Sequence, residues 1–335
     1  ALGELAEDGF VEVKARVGSF VARRPPHLFN IGLVFPFDPE IVSGAYFRSK
    51  YHHSLHNAAQ RLSAESDRRI IVFHRVDIHG NTKESHRLRG YVQRHKLAGL
   101  IFATASDRIE ISSACLEVGI PRIDIESSER LSSERHPWPV LETSGPPWYE
   151  EALDYLVRRG RERIALLVSS FRGNDFYDRR LWERAISERD MKSPRHLRQS
   201  AGWRDPESAK HVVELLMRTS RNTRPDALLV TDDNLMEGAI AGLVAAGRNV
   251  PDDVEVVARA NFPLTSEPAL PIRLLGYDWP AVLKDAIDTI DHMRKGETPP
   301  ATCKVPLQWD GDFRKDRYES ENDELCIGTP AEVVG

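Results

Sequence analysis

The chain has 335 residues, 41% of them hydrophobic and 29% charged, with a formal net charge of -5. That length exceeds one typical core, and the apolar content excludes a disordered chain. The acidic balance excludes a protein devoted along its whole length to a polyanion, while leaving room for a small basic module.

Three cysteines, Cys115, Cys303 and Cys326, have no C-x-x-C spacing and read as plain thiols of a reducing compartment. No stretch approaches the run of about 20 apolar residues that spans a bilayer. Ala1–Asp8 is amphipathic and carries acids, unlike an export signal. A cytoplasmic protein without a membrane partner is therefore expected. Because the pattern opens at Ala1 in mid-element, a segment upstream of it is expected too.

In chain order, Ala1–Asp8 has the pattern of a helix end, with Gly9 as its stop. Phe10–Lys14 and Ser19–Arg23 read as the strands of a hairpin turned at Ala15–Gly18. Arg23-Arg24-Pro25-Pro26 reads as a stiff, extended linker. Lys14, Arg16, Arg23 and Arg24 give this region a basic face. Taken alone, such a face is usually solvated charge and nothing more.

From Phe29 onward, β-branched runs alternate with helical patterns. Strands are expected at Phe29–Phe35, Arg69–His74, Ala98–Ala103, Pro121–Ile125, Pro139–Glu142, Glu162–Val168, Asp226–Val230, Asp253–Val257 and Ile272–Gly276. Helical spacing marks Tyr149–Arg159, Ser208–Arg218 and Leu235–Ala246, the last closed by Gly247. Apolar runs without strict alternation suit a parallel sheet buried on both faces, and the rhythm gives a doubly wound α/β architecture. A seam rich in turn formers at Glu142–Pro147 divides it into two lobes. The expected organisation is residues 1–26 as a separate module with linker and 27–309 as the two-lobed domain. Its lobes are approximately 27–142 and 143–275, with crossovers in 276–309. Residues 310–335 form a polar tail.

There is no G-x-x-x-x-G-K-[ST], no G-x-G-x-x-G after a strand and no G-x-S-x-G elbow. His52, His53 and His56 lie at helical spacing, but no acid or third ligand accompanies them. They read as a solvated or partly buried helix face, not as a metal site. No base–nucleophile pair stands out, so a non-enzyme without metal or cofactor is expected.

ALGELAEDGFVEVKARVGSFVARRPP, with Ala1-Leu2, Leu5, Asp8-Gly9 and Gly18-Ser19-Phe20-Val21, resembles the end of a GntR-type winged-helix domain. The resemblance implies a wing whose Lys14 and Arg16 lie along a phosphate backbone or minor groove while Ser19 donates to a phosphate oxygen. The helices that would read the major groove lie outside this chain, so weak DNA binding is expected of it alone.

Asp226–Ala258 resembles the effector domain of lactose- and galactose-repressor-type regulators, itself similar to periplasmic sugar-binding proteins. The matching residues are Asp232-Asp233, Gly238-Ala239, Gly247 and Val250-Pro251-Asp252-Asp253-Val254. Together the two halves resemble arabinose-repressor-like regulators. The resemblance implies a homodimeric repressor with operator DNA as partner and a sugar-like effector held between two hinged lobes, outside the carboxyl ends of the strands.

Candidate ligand residues there are Phe37, Tyr46, Phe47, Arg180 or its neighbour Arg179, Trp203 and Asp232, which supply ring faces and planar hydrogen-bond partners for vicinal hydroxyls. The rival readings are that one of Tyr46 and Phe47 is core, that the arginines are a solvated helix face, and that one of Asp232 and Asp233 is a helix cap. Two positions depart from the pattern. Ala258-Arg259-Ala260-Asn261 has no acid where the family has one, which points to a different sugar, to a phosphorylated or acidic ligand welcomed by Arg259, or to no ligand. Leu181-Trp182 replaces a Gly-aromatic pair after the arginines. The alternative function is a solute-binding protein of the same fold that feeds a transporter.

Overall fold

The computed structural model describes residues 1–35, 50–76, 82–103, 119–126, 138–143, 145–170, 174–191, 193–202, 205–263 and 267–311. The amino-terminal segment forms helix α1 (Leu2–Glu7) and the hairpin β1 (Val11–Lys14) and β2 (Gly18–Val21). Pairing is antiparallel, Val11 facing Val21 and Lys14 facing Gly18. The turn places Arg16 at φ 62° and Gly18 at φ 138°, backbone that glycine adopts without steric cost.

The linker is extended at Pro25 and leads directly into a helix. Pro26–Phe29 makes a short helix, α2, with a proline at its first position, where the missing amide hydrogen costs nothing. There follow β3 (Asn30–Val34), α3 (Lys50–Glu65), β4 (Arg69–Phe73), α4 (Lys83–Gln93), β5 (Gly99–Phe102), β6 (Arg122–Glu126) and β7 (Val140–Glu142). Thr82 starts α4, its hydroxyl accepting from the Ser85 amide at 3.1 Å.

Next come α5 (Pro146–Arg158), β8 (Ile164–Ser169), α6 (Asn174–Ser187), β9 (Arg198–Ala201), α7 (Pro206–Met217), β10 (Ala227–Val230) and α8 (Met236–Ala245). The chain closes through β11 (Glu255–Phe262), β12 (Arg273–Asp278), α9 (Trp279–Arg294), β13 (Thr302–Lys304) and β14 (Gln308–Trp309). The strand expected at Asp253–Val257 lies further along. Asp253 belongs to the preceding turn, where its carboxylate accepts from the Asn249 amide at 2.9 Å.

The chain divides into two units, Ala1–Gly145 with Trp279–Val305 and Pro146–Asp278 with Pro306–Gly335, so it passes between them three times. Unit 1 carries a six-stranded sheet in the order β13-β7-β6-β5-β3-β4, parallel at every pair. Unit 2 carries β14-β12-β11-β10-β8-β9, parallel except where the edge strand β14 meets β12.

In unit 2 each face of the sheet has its own core. Leu167, Leu228, Val256 and Ala258 pack under α7 and α8, while Leu166, Leu229 and Val257 pack under α5 and α6 with Trp148 and Trp182. This two-sided burial is why these strands are continuous apolar runs. Gly276 is fixed by close approach, since a Cβ there would stand 1.8 Å from the Ala260 carbonyl oxygen. Among the described residues no helix is long and apolar enough to cross a membrane.

Candidate functional site

Parallel strands followed by helices bring successive strand ends and helix starts to one edge of a sheet, where ligands of such folds bind. In unit 1 that edge collects aromatic and imidazole rings. Phe35, just past β3, lies 5.3 Å from both His52 and His74, measured between ring centroids. His56 lies 5.6 Å from His74, and Tyr51 meets His52 at 4.7 Å and Trp279 at 4.8 Å. The Tyr51 hydroxyl donates to the carbonyl of Ala103, past the end of β5, at 2.5 Å.

His52 is 6% exposed and His53 and His56 are half-buried, so the three histidines form the partly buried helix face expected. Burial, reinforced by the neighbouring His74, pushes the His52 pKa down to about 3, which keeps the ring neutral near pH 7. The His56 Nδ1 is buried without a hydrogen-bond partner. Among the described residues no group of three histidine, cysteine or acidic side chains could hold a metal ion.

In unit 2 the corresponding edge collects hydrogen-bonding groups. Arg179 reaches from α6 to donate from Nη2 to the Ser200 hydroxyl at 3.1 Å, and its Nε is buried with no acceptor. The Ser169 hydroxyl, at the end of β8, is also buried and unpartnered. Asp232 caps the 3-10 turn Asp233–Leu235, accepting from the Asn234 amide at 2.9 Å and its side-chain Nδ2 at 2.6 Å. Asp233 is 6% exposed and accepts from Asn261 Nδ2 at 2.6 Å. An acid at 261 would set two carboxylates together, whereas an amide complements Asp233.

Of the sequence candidates, Asp232 is half-buried at this edge and Arg180 is exposed on α6, one position from the buried Nε of Arg179. Phe37, Tyr46, Phe47 and Trp203 lie outside the described residues. Trp182, at the departure from the Gly-aromatic pair, is fully buried and donates to the Ser193 hydroxyl at 2.7 Å. Arg259 lies within β11, its guanidinium 5.5 Å from the Trp148 ring and 5.9 Å from Tyr277. Tyr51, His74 and Ser200 were not candidates in the sequence, because nothing in its periodicity brings these positions to a strand end.

The hairpin cations are open to solvent. Lys14, Arg16 and Ser19 are all exposed, and the Lys14 ammonium lies 5.6 Å over the Phe20 ring.

Residues 153–309 match a periplasmic binding protein-like domain. No curated protein sequence matches the chain. Among solved structures, the Escherichia coli transcriptional repressor ascG is similar, with 17% identity and a TM-score of 0.62 over 84% of this chain and 97% of that one. A LacI family transcriptional regulator from Lactobacillus casei with bound glucose is similar with 17% identity and a TM-score of 0.56, again over 84% and 97%. The lac repressor dimer bound to operator and an anti-inducer gives 15% identity and a TM-score of 0.63 over 84% and 92%. At these identities the likeness is one of fold. The two parallel-sheet units have the fold of periplasmic binding protein-like domains.

Proposed function

We propose that this chain is the sensing portion of a cytoplasmic DNA-binding transcription regulator, a repressor, whose effector is a small polyol of the sugar or sugar-derivative class. The observation that carries the reading is the pairing of an exposed basic hairpin with two ligand-type sheet edges in one chain. Lys14, Arg16 and Ser19, exposed on a hairpin whose sequence resembles a GntR-type wing, would contact operator phosphates. The solved structures of similar fold support both halves, since one of them holds glucose and another is on its operator.

Unit 2 would supply directional contacts. Arg179 and Ser169 carry buried donors without acceptors, and hydroxyls of a polyol would satisfy them. Unit 1 would supply ring faces for the C–H patches of a sugar, with Trp203 as a further stacking residue. The reading includes a homodimer, whose two wings would match two half-sites. Effector binding shifts DNA affinity only as far as the two DNA-binding states differ in effector affinity.

Thermal unfolding across pentoses, hexoses, their phosphates and uronates tests it. A true effector at a hundred times its Kd stabilises the protein by about 2.7 kcal/mol. Trp203→Ala and Arg179→Met should each abolish the rise in Tm while keeping the fold. If no member of the panel raises Tm, the effector class is wrong.

A further inference from the structure

Two of the longest helices of unit 1, α3 and α9, have 16 residues each and are therefore about 24 Å long. They run in the same direction side by side, as their end contacts require. At their first turns the Tyr51 and Trp279 rings meet at 4.8 Å, at the carboxyl edge of the sheet. At the other end Arg68, just past α3, pairs with Asp291 in the last turn of α9 and also donates to the Leu28 carbonyl. Arg294 of α9 donates to the same carbonyl at 3.4 Å.

Leu28 belongs to α2, the root of the hairpin. The Ala22 amide donates to the Phe10 carbonyl at 2.9 Å, and the Phe10 and His27 rings stack at 5.5 Å. Helix α9 lies tightly on the sheet, because even a methyl group at Gly99 would come within 2.5 Å of Ile290. A helix packed so closely moves as a unit rather than bending locally.

The amino-terminal segment also buries Ala22, Pro25 and Pro26 and makes polar contacts around a cavity of about 480 Å³ that Asp8, Arg24, Arg68, Tyr91 and Lys96 help to line. Asp8 pairs with Lys96 at 3.0 Å and Arg94 at 3.4 Å, and Arg24 pairs with Asp67. Leu2, Leu5, Val13 and Phe20 are exposed and add nothing to the junction. Arg24–Asp67 is exposed and fixes an orientation weakly, whereas Asp8–Lys96 is half-buried, so the position of α2 shares control of the hairpin with that pair.

We propose that Arg68 is the coupling residue of unit 1, tying the root of the basic hairpin to the far end of α9 so that a displacement at Trp279 reaches it. Trp279 is the first residue after the chain passes from unit 2 into unit 1, which gives events at the carboxyl edge a packed route to the hairpin. The functional weight of that route rests on the proposed regulator reading. The test uses neither effector nor DNA, so the two can fail separately.

Trypsin cleavage after Arg23 reports release of the linker, since the Arg24–Pro25 bond resists the enzyme. Arg68→Met keeps the stem and removes both contacts. It should speed that cleavage on the order of tenfold. Trp279→Phe should speed it on the order of fivefold in the native background and add nothing in the Arg68→Met background. Circular dichroism melts separate linker release from unfolding, and Tyr51→Ala is the second far-end variant should Trp279→Phe not fold. The proposal is overturned if the folded far-end variant leaves cleavage after Arg23 unchanged, or speeds it equally with and without Arg68.

Discussion

At the carboxyl edge of its sheet unit 1 gathers Phe35, Tyr51, His52, His74 and Trp279, whereas unit 2 gathers Ser169, Arg179, Ser200, Asp233 and Asn261. The same strand–helix architecture thus ends in ring packing in one unit and in a hydrogen-bonded network in the other. Rings gain by contact and burial, which is tolerant of small shifts, while buried donors and acceptors must be matched or they cost free energy. The two edges should therefore respond differently to changes in packing, protonation and hydrogen bonding.

The largest expected contrast is steric. Gly276→Ala in unit 2 drives a methyl group into the Ala260 backbone, which cannot yield without breaking the β11–β12 ladder. A loss of about 4 kcal/mol or more is expected, seen as collapse of the unit 2 transition in denaturant melts. Gly99→Ala in unit 1 meets the buried Ile290 side chain instead of backbone, and should cost about 1–3 kcal/mol. Equal losses would mean that the two sheets are equally rigid.

Protonation should separate the units next. His52 has a folded pKa of about 3 against an ordinary value of 6.5. Between those values the unfolded chain binds a proton that the folded one refuses, so unit 1 loses stability as pH falls through that window. The loss reaches about 2 kcal/mol at about pH 5 relative to neutral solution. His52→Gln should flatten this dependence in melts at the two pH values. A dependence unchanged in that variant would assign it to other groups.

The smallest effect distinguishes neighbours on α6. Arg179→Met loses the bond to Ser200 and should cost about 0.5–1.5 kcal/mol in thermal melts. Arg180→Ala, at an exposed position, should stay within about 0.5 kcal/mol. The reverse ranking would mean that α6 is turned by one residue relative to the sheet.

The architecture is legible in the sequence because two-sided burial leaves a strong mark. β8 and β10 are bare apolar runs, and Asp226–Ala258 carries its turn residues in order. β11 is displaced from its expected place because Arg259 interrupts the run, hiding Ala260–Phe262, while Asp253 belongs to the turn. Helix α2 escapes notice because four residues beginning with proline carry no periodicity.

The sites are less legible, and for a common reason. Asp233 and Asn261 are 28 residues apart and pair through the sheet register. His52 reads as partly buried at most until Phe35 and His74 arrive from two other elements. Arg179 and Arg180 cannot be told apart without the Gly-aromatic pair that would set the phase of α6.

The central claim is that a polyol is recognised at the carboxyl edges of both sheets. Hydrogen–deuterium exchange with and without the sugar that most raises Tm tests it directly. The account predicts slowed exchange in peptides around Phe35, Tyr51 and Ala103 in unit 1 and around Ser169, Ser200 and Asp232 in unit 2. Protection confined to the opposite, amino-terminal ends of the strands, or no protection under saturating sugar, would contradict it.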